Sequence, residues 1–206
     1  MMAEYIVVSL FAYFIGSVSF SVIFSKKFAG FDVREKGSNN AGATNVLRTA
    51  GTKLAILTLL CDVLKGVVAI LLAVIAGKIW KEVNSELLKY LAGFFAILGH
   101  TFPIFFQFRG GKGVATALGV LITLNWKIGL ICLIFALILI ILTKMVSVGS
   151  ILAAVLYPLL TIFMNEFYIG TVIVSILIAL LVIFNHRENI KRLKNGTENK
   201  ISFKKK

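Results

Sequence analysis

Residues 54–76 read LAILTLLCDVLKGVVAILLAVIA. At ~1.5 Å per residue this run is long enough to cross a hydrocarbon core of ~30 Å as an α-helix. Its apolar residues follow one another without alternation, which excludes a barrel strand. In lipid, a backbone N–H or C=O without a partner costs several kcal/mol, so a spanning segment of this kind must be helical. Two charges interrupt it, Asp62 and Lys65, at i and i+3 on one helix face. Intramembrane charges are costly and usually paired. Two readings fit them: a structural ion pair, or a polar wall beneath an active site.

The same reading extends to residues 6–24, 87–108 and 167–184. The chain has 206 residues, 59% of them hydrophobic, and a mean hydropathy of +0.95. A soluble domain of this length rarely carries so much apolar side chain. Spans are expected at about 4–24, 54–76, 88–108, 114–125, 128–143, 148–164 and 167–186. The fold class is therefore all-α, a polytopic membrane bundle of about seven helices forming one domain over residues 1–206. Residues 114–143 read either as one long helix interrupted at Asn125-Trp126-Lys127 or as two shorter ones. The flank Met1-Met2-Ala3-Glu4 is acidic, unlike the start of a cleaved signal peptide. Cys61 and Cys132 lie inside apolar runs and read as packing residues, with neither disulfide nor metal spacing.

The formal net charge is +13. In a soluble protein this would suggest nucleic acid; here the charges report topology, and no nucleic-acid partner is expected. Seven spans put 17 of the 22 basic residues on one side and four on the other, with Lys65 inside a span. Six spans would move the basic tail to the outer side. The positive-inside rule therefore favours seven, with the N-terminus out and the C-terminus in. Span 114–125 is short, ~18 Å for its 12 residues, so it needs a thinned or protein-lined region. Residues 194–206 read as a basic cytoplasmic tail, flexible or lying on anionic headgroups.

The unusual polar chemistry then gathers on the inner face. The first inner loop holds Gly37-Ser38-Asn39-Asn40-Ala41-Gly42-Ala43-Thr44-Asn45-Val46-Leu47-Arg48. Glycines let backbone amides approach an oxyanion, Ser, Thr and Asn add donors, and Arg48 supplies a planar fork suited to phosphate. An ordinary turn with Thr44 or Asn45 as a helix N-cap fits equally well. The second loop runs from Gly99-His100-Thr101-Phe102-Pro103 to Gly110-Gly111-Lys112-Gly113-Val114-Ala115-Thr116. Its glycines lead into an apolar helix whose N-terminus favours an anion, with Lys112 adding a full charge. The other reading is a glycine hinge with interfacial cations. It is not a Walker A loop, because Gly113 stands where that motif needs Ser or Thr.

Ser147 and Ser150 flank Gly149 before the sixth span, where Ser147 as a helix cap is a sufficient explanation. His186 follows the last apolar run, beside Arg187 and near Asn189. A neighbouring cation favours neutral imidazole, which suits a proton acceptor; a solvated interfacial histidine is the alternative. No Cys/His/Asp cluster suggests a metal, and no Ser-His-Asp order suggests a hydrolase triad. The pattern His-x4-Asp is also missing, since Phe105 follows His100 by five and Lys191 follows His186 by five.

Taken together, these loops resemble the signature of the bacterial acyl-phosphate:glycerol-3-phosphate acyltransferases. Asp62-Val63-Leu64-Lys65-Gly66, Ser147-Val148-Gly149-Ser150 and His186-Arg187-Glu188-Asn189-Ile190-Lys191-Arg192 fit the same family in the same order. One departure is visible: the family's first motif often reads Gly-Ser-Gly-Asn-Pro-Gly, and Asn39 and Ala41 replace Gly and Pro here. Position 39 is where a left-handed backbone is expected, which Asn tolerates.

The resemblance implies a multi-pass enzyme of the bacterial inner membrane, its active site facing the cytoplasm. It would move an acyl group from acyl phosphate to the 1-hydroxyl of glycerol-3-phosphate, giving lysophosphatidic acid and phosphate, without metal or organic cofactor. On this reading Ser38, Arg48, Lys112, His186 and Asn189 are catalytic. Gly37, Thr44, Asn45, His100, Gly110, Gly111, Gly113, Ser147 and Ser150 bind substrate. A transporter or channel for a small phosphate-bearing solute is the alternative, disfavoured because the functional groups collect on one face and no inverted repeat is evident.

Overall fold

The structure is a computed structural model that describes residues 2–164 and 168–201. The described residues are helical and irregular, with no strand among them. The chain divides into two compact units, Met1–Leu124 and Asn125–Lys206.

In the first unit, α1 (Met2–Gly16) is followed by a short α2 (Phe20–Phe24) and a π turn over Ser25–Ala29. Then come α3 (Ala43–Thr49), α4 (Thr52–Ile79), α5 (Ser85–Thr101) and α6 (Val114–Leu124). Helix α1 packs on α5, and α4 packs on both α5 and α6. Helix α4 is sided in the way lipid requires. Its buried positions are small or polar: Ala55, Thr58, Asp62, Lys65, Gly66, Ala69 and Ala73, with Ile70. Its large aliphatic residues Ile56, Leu60, Leu64, Leu71 and Ile75 are exposed. Lipid tails are as apolar as Leu, so burying Leu against another helix gains little, whereas small residues let helices approach closely. A Cβ on Gly119 of α6 would run into the Val63 carbonyl of α4, so only glycine permits that crossing.

In the second unit, α7 (Trp126–Thr143) packs on α8 (Val146–Met164), and α8 on α9 (Ile169–Asn185). A final α10 (Arg187–Lys194) leaves α9 at 58°. The Asn125 side chain accepts from Lys127 N and Ile128 N, at 3.1 and 3.3 Å, and so caps α7. Of the two readings of residues 114–143, the structure takes two helices, α6 and α7.

Among the described residues, five helical stretches are long and apolar enough to cross a membrane: Met2–Ala29, Thr52–Ile79, Ser85–Phe106, Trp126–Thr143 and Val146–Met164. The bent pair α9 and α10 makes a sixth, and α6 is a shorter apolar helix. These segments fall on the seven expected stretches, although among the described residues length and composition alone admit only five or six crossings. Position 167, the expected start of the last span, and residues 202–206 of the tail lie outside the described residues.

Candidate active site

The first inner loop is built around one side chain. Asn45, in the first turn of α3, is buried. Its Oδ1 accepts from Ser38 N at 2.9 Å, and its Nδ2 donates to the carbonyls of Val33, Lys36 and Asn40 at 2.9–3.1 Å. The N-cap of α3 is Gly42, not Thr44 or Asn45. Thr44 lies one residue into the helix, and Asn45 turns back to hold the loop. The loop needs that hold, because Gly37 (φ 63°) and Asn39 (φ 54°) both sit in the left-handed region. Position 39 is therefore left-handed as expected, and Asn there meets the demand at modest cost. A Cβ on Gly37 would strike Asn45 Oδ1. Beneath the loop lies a small apolar core of Val22, Val33, Ala41, Val46 and Ala55, against which Phe106 of the second loop packs.

The two loops meet through backbone. Ala41 N donates to Gly110 O at 3.4 Å, and Gly111 lies against the Ala41 carbonyl and the His100 ring. The amides of Gly110 and Gly111 donate inward, to the carbonyls of Thr101 and His100, each at 3.1 Å. The expectation that Gly110 and Gly111 bind substrate is thereby narrowed, since the amides of both are committed to closing the turn. Gly113, at φ 86°, turns the chain into α6. A helix's first amides lack intrahelical partners, so the anion-favouring end of this loop is residues 112–113 with the first turn of α6. Arg48, in the last turn of α3, and Ser38 are exposed, and Lys112 is half-buried.

Below the second loop, Asp62 and Lys65 form the ion pair read from their spacing, with Nζ 2.9 Å from Oδ1. Lys65 also donates to Val18 O at 2.8 Å. His100 enters the same cluster, its Nδ1 3.5 Å from Asp62 Oδ1. His100 is buried under Gly110 and Gly111 and shapes the loop.

The second unit brings Ser147 and Asn189 together on a residue the motifs did not single out. Glu198 Oε1 accepts from Asn189 Nδ2 at 2.7 Å and from Ser147 Oγ at 2.9 Å, while Oε2 accepts from Arg192 Nε at 2.9 Å. Burial opposes ionisation of Glu198, but the donors Asn189, Ser147 and Arg192 outweigh it and hold the carboxyl below its ordinary value. Ser147 thus bonds Glu198 rather than capping α8, and Ser150 Oγ turns back to Val146 O at 2.9 Å. Ile201 N donates to Lys144 O at 2.8 Å. Residues 198–201, expected in a flexible tail, are held at both ends of this stretch. The signal for Glu198 was faint: one acid in a basic segment, two residues after Gly196, whose φ of 68° turns the chain back. His186 is buried, and its Nδ1 lies 2.7 Å from Val182 O. A carbonyl only accepts, so Nδ1 carries the proton, and in the neutral ring Nε2 bears the lone pair. Arg187 stacks over the Phe184 ring, 4.7 Å from its centroid.

A family model described as glycerol-3-phosphate acyltransferase matches residues 6–196. The glycerol-3-phosphate acyltransferase of Clostridioides difficile (strain 630) is 43% identical over 202 residues, 98% of each chain. That of Shouchella clausii (strain KSM-K16) is 46% identical over 207 residues, 99% of each. Among solved structures, the glycerol 3-phosphate form of PlsY (YgiH), an integral membrane glycerol 3-phosphate acyltransferase, superimposes with a TM-score of 0.86 at 36% identity, covering 96% of both chains. Its lysophosphatidic acid form gives 0.83 at 34% identity, covering 96% of this chain and 95% of that one.

Proposed function

The chain belongs to the glycerol-3-phosphate acyltransferase family, and from that premise we propose that acyl phosphate is its donor and the 1-hydroxyl of glycerol-3-phosphate its acceptor. The protein is an integral membrane acyltransferase, and this sets aside the transporter reading. The products are lysophosphatidic acid and phosphate, as in the first acylation of phospholipid synthesis. The enzyme sits in the bacterial inner membrane with its site toward the cytoplasm, a placement supported by the 17 basic residues on the side of the motif loops. The two units work as one acyltransferase domain, supported by a family match that runs across their boundary.

One observation carries the donor assignment. Two glycine-rich loops meet at the Ala41–Gly110 backbone bond, beside the start of α6, with Lys112 in the second loop and Arg48 on the helix that follows the first. Both substrates carry phosphate, and acyl phosphate already contains its own leaving group. The acceptor oxygen attacks the acyl carbonyl carbon, the carbon–oxygen bond to phosphate breaks, and phosphate departs with the electron pair. Arg48, Lys112 and the first amides of α6 hold phosphate oxygens, and Ser38 orients the hydroxyl. Asn45 acts through the shape of its loop, and Glu198 holds Asn189 and Ser147 in place. The hydroxyl proton passes to Nε2 of His186 or to a substrate phosphate, whose second pKa is ~6 if it resembles that of a phosphoserine.

The test is radiolabelled glycerol-3-phosphate with purified protein in detergent, supplied with acyl phosphate or acyl-CoA in parallel. Lysophosphatidic acid formed from acyl phosphate without a sealed compartment is the expected result. Turnover with acyl-CoA alone would overturn the donor.

A further inference from the structure

Arg34 is one of the 17 basic residues that the positive-inside rule places on the inner side. Its side chain is largely buried and fully directed. Nε donates to Asp32 Oδ1 at 3.0 Å and Nη2 to Asp32 Oδ2 at 2.7 Å, a bidentate pair. Nη1 donates across 72 positions of sequence to the Phe106 carbonyl at 2.7 Å, and to the Arg109 carbonyl at 3.4 Å. Between those carbonyls the chain turns through Gln107 (φ 60°) and Phe108 (φ 56°), two non-glycine residues in the left-handed region. Such a turn persists only when its surroundings hold it. Immediately after it come residues 110–113 and α6.

Asp32 is itself anchored. Its Oδ1 accepts from Arg34 N at 3.0 Å, and Lys26 Nζ lies 3.2 Å from Oδ2. Val33, between the two charges, is buried in the small core that Phe106 packs against. We propose that Arg34, oriented by Asp32, is a positioning residue for acyl transfer: it braces the 106–109 turn and thereby aims Lys112 and the start of α6 at the phosphate. Arg34 touches no substrate; its role is geometric. The inference rests on the reading that residues 112–113 and α6 hold phosphate, but the brace itself is measurable without substrate.

The experiment compares wild type, Arg34→Lys, Asp32→Asn and the double variant, each as full-length protein in detergent. Lysine keeps the charge but has no planar fork to hold Asp32 and a carbonyl together. Expected is a fall in kcat of roughly 100-fold for each single variant, since small misplacements of catalytic groups cost that much, with the double variant no worse than either. Trypsin cleavage after Arg109 and Lys112 should accelerate, while cleavage after Lys53 and Lys127 keeps its wild-type rate. If Arg34 were a phosphate ligand, Asp32→Asn would preserve or raise activity, and Arg34→Lys would raise KM with kcat kept. That result overturns the brace, as does unchanged cleavage at Arg109 and Lys112. Uniformly faster cleavage at all four sites also overturns it, by assigning the pair to general stability. If the turn loosens in Arg34→Lys but Lys112→Ala remains fully active, the phosphate reading fails while the brace stands.

Discussion

Asn189 Nδ2 donates a 2.7 Å hydrogen bond to Glu198 Oε1, the same oxygen that accepts from Ser147. One carboxylate oxygen therefore sets the rotamers of two motif residues 42 positions apart in sequence. Glu198→Gln removes the charge but keeps a carbonyl oxygen of similar reach. A hydrogen bond to a charged group contributes ~1.5–3 kcal/mol, so kcat should fall by about 10- to 100-fold. Turnover within twofold of wild type would show that Glu198 does not orient Asn189 and Ser147.

The same carboxylate makes a pH prediction. Its folded pKa is depressed, so its contribution to stability is present above the ordinary carboxylate value of ~4.3 and is lost as pH falls through the folded value. Asp32, held low mainly by Arg34 and further by Lys26 against the effect of burial, acts in the same direction. Thermal stability in detergent should be level from about pH 8 to 5 and decline below about pH 4. Glu198→Gln should decline less steeply. An identical acid limb in the variant would remove Glu198 from the cause.

His186 donates from Nδ1 to Val182 O, which fits Nε2 for proton acceptance. His186→Ala should lose roughly 100-fold in kcat, with the acid limb of the pH–rate profile displaced. A variant with wild-type turnover and pH profile would leave the substrate phosphate as the base.

Lys112 stands in the glycine loop ahead of α6. Lys112→Ala should abolish nearly all activity, by roughly 100- to 1,000-fold, in protein that keeps its melting temperature. A fully active variant would refute the phosphate role.

Asp62 and Lys65 are both buried. Asp62→Ala leaves a buried ammonium without its partner and should destabilise by about 3–5 kcal/mol. Asp62→Leu combined with Lys65→Met should recover much of that loss. If the double variant is as unstable as the single one, the pair is more than a structural necessity.

The membrane character and the placement of the helices were legible because lipid imposes a local rule. A segment must satisfy its own backbone and present apolar side chains, and residues 54–76 announce both without reference to the rest of the chain. The Asp62–Lys65 pair was legible for the same reason, since i and i+3 share a helix face whatever the surroundings. The glycine loops were visible as motifs, and the left-handed backbone at position 39 was anticipated. The direction of their amides was not. Gly110 and Gly111 turn theirs to Thr101 and His100, a choice made by packing against α5.

Ser147 and the residue it serves show where local reading stops. A serine before an apolar helix reads as a cap, and only the return of the chain after Gly196 brings Glu198 to it. Arg34 is the same case, because a guanidinium on one loop has no local reason to seek a carbonyl 72 residues away. Sequence alone determined that this protein crosses a bilayer as helices and which family it resembles, since these follow from local composition and short-range pattern. Tertiary structure decided which polar side chains face inward to hold the loops, because hydrogen-bond partners distant in sequence are chosen by how the chain packs.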